Sequence, residues 1–266
     1  MSTKTLTIVG CGKLATLVTD ALLAGLLPDY HLIGAYSRTI EKAQAITEKV
    51  NGSNPGYACR TCEDIDQLLS LKPDYILEMA SPDSMRSLAL PALKNGSSII
   101  TLSIGAFADT EFYEEVKKTA AEHNTRVHLV SGAIGGFDVL RTVSLMGDCS
   151  ASFATEKGPH SLRKSSVYDD ALQTEQRKVF EGNAQEAIAL FPTSVNVAVA
   201  ASLASVGPMN MKVSVTSTPG FVGDDHRIEI KSDQVHAVID VYSKTAEIAG
   251  WSVVNTLRNI TSPIAF

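Results

Sequence analysis

Thr5-Leu6-Thr7-Ile8-Val9-Gly10-Cys11-Gly12-Lys13-Leu14-Ala15 is the stretch whose reading decides the fold. A run of β-branched and apolar residues meets a glycine, the pattern of a strand stopped by a turn. Beyond it, Leu14, Leu17, Val18, Ala21 and Leu22 fall at helical spacing and predict a helix over 13–26, broken at Pro28-Asp29-Tyr30. In such a strand–loop–helix, Gly10 permits the tight turn and Gly12 lets the backbone approach a pyrophosphate. Ala15 keeps the helix close to the sheet. The helix N-terminus adds partial positive charge. Gly10, Gly12, Lys13, Leu14 and Ala15 are therefore candidate dinucleotide-binding residues. G-x-G-x-x-A alone marks many ordinary turns, and it is the setting that points to a nucleotide.

Working outward, strands are predicted over 31–36, 74–78, 97–102 and 126–130. Helices are predicted over 40–50, 84–95 and 109–123, the second closed by Gly96. Alternation of this kind implies an α/β fold whose N-terminal part, 1–131, is a doubly wound parallel sheet of Rossmann type. After it the pattern changes. Strand-like pieces at 151–155, 211–216, 227–231 and 235–242 share 132–243 with helices at 183–190 and 195–205, a smaller α+β catalytic domain. Residues 244–266 form a C-terminal segment that can return to the first domain.

The end of the second strand bears on which dinucleotide is held. A carboxylate there binds the ribose 2′-hydroxyl of NAD. Here Gly34-Ala35-Tyr36-Ser37-Arg38-Thr39 carries none before Glu41. Ser37, Arg38 and Thr39 suit a 2′-phosphate, which favours NADP over NAD and leaves dual use open. The plainer reading of Arg38 is a solvated residue at a helix start.

Bulk properties narrow the partners. Of 266 residues, 44% are apolar and 20% charged, with a net charge of −6 and the two signs interspersed. A nucleic-acid binder would show a basic patch. No apolar run approaches the roughly 20 residues that span a bilayer. The N-terminus lacks a signal-peptide core. A small-molecule substrate is expected, with neither nucleic acid nor membrane as partner, and a cytoplasmic location. Cys59 and Cys62 form a C-x-x-C without a second ligand pair, so Cys11, Cys59, Cys62 and Cys149 read as free thiols and no metal site is expected.

Three places in the second half carry polar chemistry. Ser131-Gly132-Ala133-Ile134-Gly135-Gly136 packs three glycines into five positions after a strand, so backbone at Ser131 and Gly132 can lie close to a ligand, or simply turn between domains. Asn196, at a predicted helix start, can bind a carboxamide or act as a cap. His226 lies between two strand-like runs in Gly223-Asp224-Asp225-His226-Arg227. Read locally it is an exposed loop histidine. Its flanking carboxylates would favour the imidazolium and raise its pKa, tuning it for acid/base work.

Taken together these segments resemble the L-aspartate dehydrogenase family. The matching stretches are the Gly10–Ala15 loop, Glu78-Met79-Ala80-Ser81, Ser103-Ile104-Gly105-Ala106-Phe107-Ala108-Asp109, Ser131–Gly136, Thr155-Glu156-Lys157, Gly182-x-Ala184-x-Glu186-Ala187, Phe191-Pro192, Asn196-Val197-Ala198 and Asp224-Asp225-His226. The resemblance implies a homodimer of Rossmann and α/β catalytic domains. It implies oxidation of L-aspartate with NAD(P)⁺ and water to oxaloacetate, ammonia and NAD(P)H, or the reverse. It places Ala133 and Asn196 on the cofactor and His226 as catalytic acid/base. Ala80 and Ser81 are further candidate cofactor residues, and Ser131, Gly132, Ser194 and Asp224 are candidate contacts to an amino or keto dicarboxylic acid. The sequence departs from the family pattern at Asp224 and Ser194, where Asn is expected, and at Asn259-Ile260-Thr261-Ser262. A bare carboxylate at Asp224 would repel a dicarboxylate. Two other readings therefore stand beside the first: a dehydrogenase of the same build acting on another small acid or imine, and a cofactor-binding sensor or structural subunit.

Overall fold

Strand β1 (Lys4–Val9) buries Leu6, Thr7, Ile8 and Val9, so both of its faces are covered. That is the signature of an interior strand in a parallel sheet. The computed structural model, which describes residues 3–163, 165–192 and 195–265, bears this out. β1 pairs in parallel with β2 (Tyr30–Tyr36) on one side and β4 (Tyr75–Glu78) on the other. With β3 (Arg60–Cys62), β5 (Ser98–Thr101) and β6 (Val127–Leu129) the sheet runs β3-β2-β1-β4-β5-β6, all parallel. The strand order reverses between β1 and β4, where open α/β sheets bind ligands.

Helices α1 (Lys13–Leu23), α2 (Ile40–Gly52), α3 (Ile65–Ser70), α4 (Pro82–Lys94) and α5 (Thr110–Glu122) connect the strands. Helix α1 stops three residues before the predicted end. Gly25 takes φ +77°, and Leu26 N and Gly25 N return to Ala21 O and Leu22 O at 3.0 Å each. This double bond pattern satisfies the last carbonyls and closes the helix before Pro28 is reached. Helix α4 starts two residues earlier than expected, at Pro82, because Ser81 caps it through Ser84 N.

The C-x-x-C segment supplies β3, an edge strand absent from the sequence reading, and Asp64 caps α3 by accepting from Gln67 N at 2.7 Å. All four cysteines are free. Burial pushes the Cys59 thiol up to about 12. Among the described residues no helix is long and apolar enough to cross a membrane.

The chain forms two compact units. One takes in Met1–Ala106, Thr110–Val130 and Ala249–Phe266, the other Phe107–Asp109 and Ser131–Ile248. The last helix of the chain, α9 (Glu247–Thr261), sets Val253, Val254 and Leu257 into the core of the first unit. Tyr30 Oη donates to Leu257 O there at 2.7 Å.

In the second unit a five-stranded sheet runs β11-β10-β7-β9-β8, from β7 (Ser150–Lys157), β8 (Arg177–Asn183), β9 (Lys212–Ser217), β10 (Asp224–Lys231) and β11 (His236–Ser243). Only β7 and β9 pair in parallel. Helices α6 (Phe137–Leu145), α7 (Ala184–Leu190) and α8 (Asn196–Leu203) share a core with one face of it, through Leu140, Val143, Ala187, Ala198 and Ala201 against Phe153, Val213, Val215, Ile228 and Ile230. β8 went unread in the sequence because Arg177-Lys178-Val179-Phe180-Glu181 lacks a clean alternation. Its end is pinned by Asn183 and Glu186, which cap each other's amides at the start of α7.

Candidate active site

In the first unit the candidate site is built from backbone. Gly10 sits at φ +93°, and a Cβ there would lie 2.7 Å from the Ala80 nitrogen. Gly10 N donates to Tyr36 O at 2.9 Å, and Met79 N to Val9 O at 2.9 Å. The turn is thus wedged between the ends of β2 and β4, and only glycine fits.

Gly12 is the N-cap of α1. It has no side-chain capping bond, no acidic residue follows in the first turn, and a Cβ on it would meet nothing within 4 Å. The helix therefore presents its first amides and its positive end to open space, as a phosphate requires. Ala15 is fully buried, while Lys13 is exposed. Residues 10–15 fit the pyrophosphate of a dinucleotide. Cys11, inside this loop, has its thiol pushed up to about 12 by burial.

Ser37 is half-buried after β2, and Arg38 and Thr39 are exposed ahead of α2. Arg38 has no ion pair among the described residues, so its guanidinium is available to an anion.

Ala80 and Ser81 are held against this turn by a residue that the sequence reading gave no role. Glu78, fully buried at the end of β4, accepts from Ala80 N at 3.0 Å and Ser81 N at 3.1 Å. Its other oxygen accepts from Thr101 Oγ1 at 2.7 Å. Burial pushes its carboxyl above the usual range, against the pull of those donors.

In the second unit the candidate site is built from side chains. His226 is neither exposed nor on a loop. It is the third residue of β10, pointing to the core face at 3% exposure, because the strand begins at Asp224 rather than Arg227. Across the ladder it faces Thr155, whose Oγ1 lies 2.9 Å from Nδ1, and the Phe153 ring stands 5.5 Å away.

The expected rise in its pKa is reversed. Burial first, and then the Lys157 cation, push the imidazole down to about 4, and Asp224 only partly opposes them. Nor is Asp224 a bare carboxylate. It pairs with Lys157, whose side chain is 5% exposed. The repulsion expected of Asp224 is thereby offset.

Loop 131–136 gives φ +64° at Gly132 and +74° at Gly136, the N-cap of α6. A Cβ on Gly132 would lie 3.9 Å from Val197, so this loop runs beside the start of α8. Ser131, Gly132, Ala133 and Asn196 are all half-buried there, and the cap of α8 is Val195, not Asn196. Ser194 lies outside the described residues.

Three groups of predicted residues are thus each brought together: residues 10–15 with Ala80 and Ser81, Ser131–Ala133 with the start of α8, and His226 with Asp224. Lys157 and Thr155 were quoted in the sequence only as part of a motif. Extending the alternation Ala151, Phe153 by two more steps places both on the inner face.

Residues 10–130 match the family described as homoserine dehydrogenase, NAD binding domain, and residues 138–260 match aspartate dehydrogenase, C-terminal. The L-aspartate dehydrogenase of Methanococcus maripaludis is 30% identical over 97% of both chains. The chain belongs to the L-aspartate dehydrogenase family. The Methanosarcina mazei member of the family is also 30% identical over 97% of each chain. A crystal structure of aspartate dehydrogenase from Thermotoga maritima superposes with a TM-score of 0.76 at 28% identity, covering 99% of both chains. The six-stranded parallel sheet and the five-stranded sheet of the second unit both fall within the residues that this superposition covers.

Proposed function

We propose that this aspartate dehydrogenase family member interconverts L-aspartate with oxaloacetate and ammonia using NAD(P), with His226 moving the proton. The observation that carries the reading is a buried, uncharged imidazole held by Thr155 within the aspartate dehydrogenase-like part of the chain. A bound nicotinamide would supply the hydride-acceptor chemistry at the substrate Cα.

The chain's own residues do the rest. Gly10, Gly12, Lys13, Leu14 and Ala15 bind the pyrophosphate through amides and helix charge. Ala80 and Ser81, fixed by Glu78, border it, and Ser37, Arg38 and Thr39 bind the 2′ end, favouring NADP. Ala133 and Asn196 orient the carboxamide, and Ser131, Gly132 and Ser194 the substrate. With Nδ1 engaged by Thr155, Nε2 of His226 is left to take a proton from the water that attacks the imine, and later to return it to the departing ammonia. Asp224 acts here as counter-ion to Lys157, which leaves the dicarboxylate unopposed.

The family resemblance supports a homodimer, checked by light scattering, and the four free cysteines support a cytoplasmic location. The decisive experiment follows NADPH and NADH oxidation with oxaloacetate plus ammonia beside a panel of keto acids. Preference for oxaloacetate supports the proposal. Faster turnover of a monocarboxylic keto acid would assign the chain to another substrate, and no turnover with any acid would leave a cofactor sensor.

A further inference from the structure

One rung along the ladder from His226 lies a charge pair with a buried ammonium that the proton-carrying step does not use. The inward positions of β7 run Phe153, Thr155, Lys157, and those of β10 opposite them run Ile228, His226, Asp224. Successive rungs on one face stand about 6.5 Å apart along the strand, and diagonal neighbours about 7–8 Å apart. Lys157 is 5% exposed and Asp224 34%. Stability does not explain such a pair, since apolar residues of equal volume commonly serve as well or better.

Position explains it better. The solvated end of the pair is the carboxylate and the dry end is the ammonium, so the positive field is the less screened of the two at the imidazole. Val241 on β11 and Val215 on β9 flank the His226–Thr155 rung. Ser217, opposite Lys157 on β9, has a buried hydroxyl without a partner among the described residues. On α6, Asp138 and Arg141 are both exposed. Glu156, Asp225 and Arg227 alternate to the other face of the sheet.

We propose that Lys157, anchored by Asp224, is a positioning residue for His226: its buried ammonium adds to burial in keeping the imidazole uncharged, and so ready to accept a proton, at neutral pH. The inference rests on the reading of His226 as proton carrier for its functional weight, and its physical content is measurable without catalysis. The depressed imidazole pKa agrees with it, burial acting in the same direction.

The test is the imidazole titration of the full-length protein by NMR, with His226→Gln identifying the resonance. Lys157→Met should raise the His226 midpoint by about one pH unit or more. Lys157→Arg, which keeps the cation, should leave it depressed. Asp224→Asn should not raise it. If Lys157→Met fails to fold, Lys157→Met/Asp224→Asn, which buries no lone charge, should still raise the midpoint, by less because Asp224 no longer opposes the cation. An unchanged midpoint on loss of the cation, or a rise in Lys157→Arg, overturns the proposal. The pH profile of kcat/KM separates the two readings. A moved imidazole midpoint with an unmoved profile keeps the role of Lys157 and removes His226 as proton carrier.

Discussion

The two units solve the same problem, holding a reactive group in place, with different materials. In the first, the contact surface is main chain: a glycine at φ +93° pressed on Ala80, an uncapped helix end, and two amides gripped by a buried carboxylate. In the second it is side chains on alternate positions of two strands, His226 over Thr155 and Lys157 over Asp224. A backbone site tolerates almost any side chain that does not intrude. A side-chain site depends on each group's charge state. Substitutions should therefore act by occlusion in one unit and by chemistry in the other.

The largest effect should come from the side-chain site. His226→Ala should lower kcat roughly 10²–10⁴-fold, the range for a positioned acid/base, with dinucleotide affinity nearly unchanged by fluorescence titration. Loss of cofactor binding instead would erase the contrast. In the backbone site, two neighbouring glycines should separate. Gly12→Val has room for its side chain in the folded protein, so melting should hold while dinucleotide binding is lost. Gly10→Ala meets both positive φ and the Ala80 backbone. Strain of this kind costs on the order of 1–3 kcal/mol, so calorimetry should show a melting point lower by roughly 2–12 °C. Equal melting points would break the distinction.

Acid should act oppositely on the two buried titratable groups. His226 is depressed to about 4 from an ordinary 6.5. The unfolded chain therefore binds its proton first, and its contribution, complete above 6.5, is lost as pH falls toward 4. The loss is on the order of 3 kcal/mol at most, by the worth of each pKa unit. Denaturant unfolding of His226→Gln should show a shallower decline over that window. Glu78 is raised instead, so the stability it lends is present below the ordinary carboxylate pKa and is lost as pH rises through the raised one. Glu78→Gln keeps an oxygen for both amides and should be at least as stable as the parent at pH 8. A clear destabilisation there would mean that the charge itself is needed.

The smallest effect on function is expected at the rim. Arg38→Ala should weaken NADPH more than NADH, by the roughly 1.5–3 kcal/mol of a charge-assisted contact, or about 10–150-fold. Equal weakening of both would place the 2′ end elsewhere.

The same contrast explains what could be read in advance. A backbone site leaves its mark in the sequence, because only glycine meets its geometry. Gly10, Gly12 and Ala15 announced the loop, and with the strand alternation they gave the parallel sheet. The side-chain site depends on strand register, which one residue can invert. Starting β10 at Arg227 left His226 on a loop with exposed acids beside it, and the sign of its pKa shift followed from that error. Lys157 stayed hidden because a lysine at an inward position conflicts with its usual exposure. Its counter-ion lies 67 residues away in sequence. Glu78 likewise resembles an ordinary strand-end acid until Thr101 and two amides are seen around it.

The course of the chain has a consequence for the order of events as the protein is made. The sheet of the first unit is complete in sequence by Leu129, yet its core includes Val253, Val254 and Leu257, and the Tyr30 hydroxyl bonds across 227 positions to Leu257. A nascent chain halted between the two units therefore holds an open apolar strip where α9 will lie, and the strip is covered only after the entire second unit has been synthesised. The dinucleotide-binding half begins first on the ribosome and finishes last.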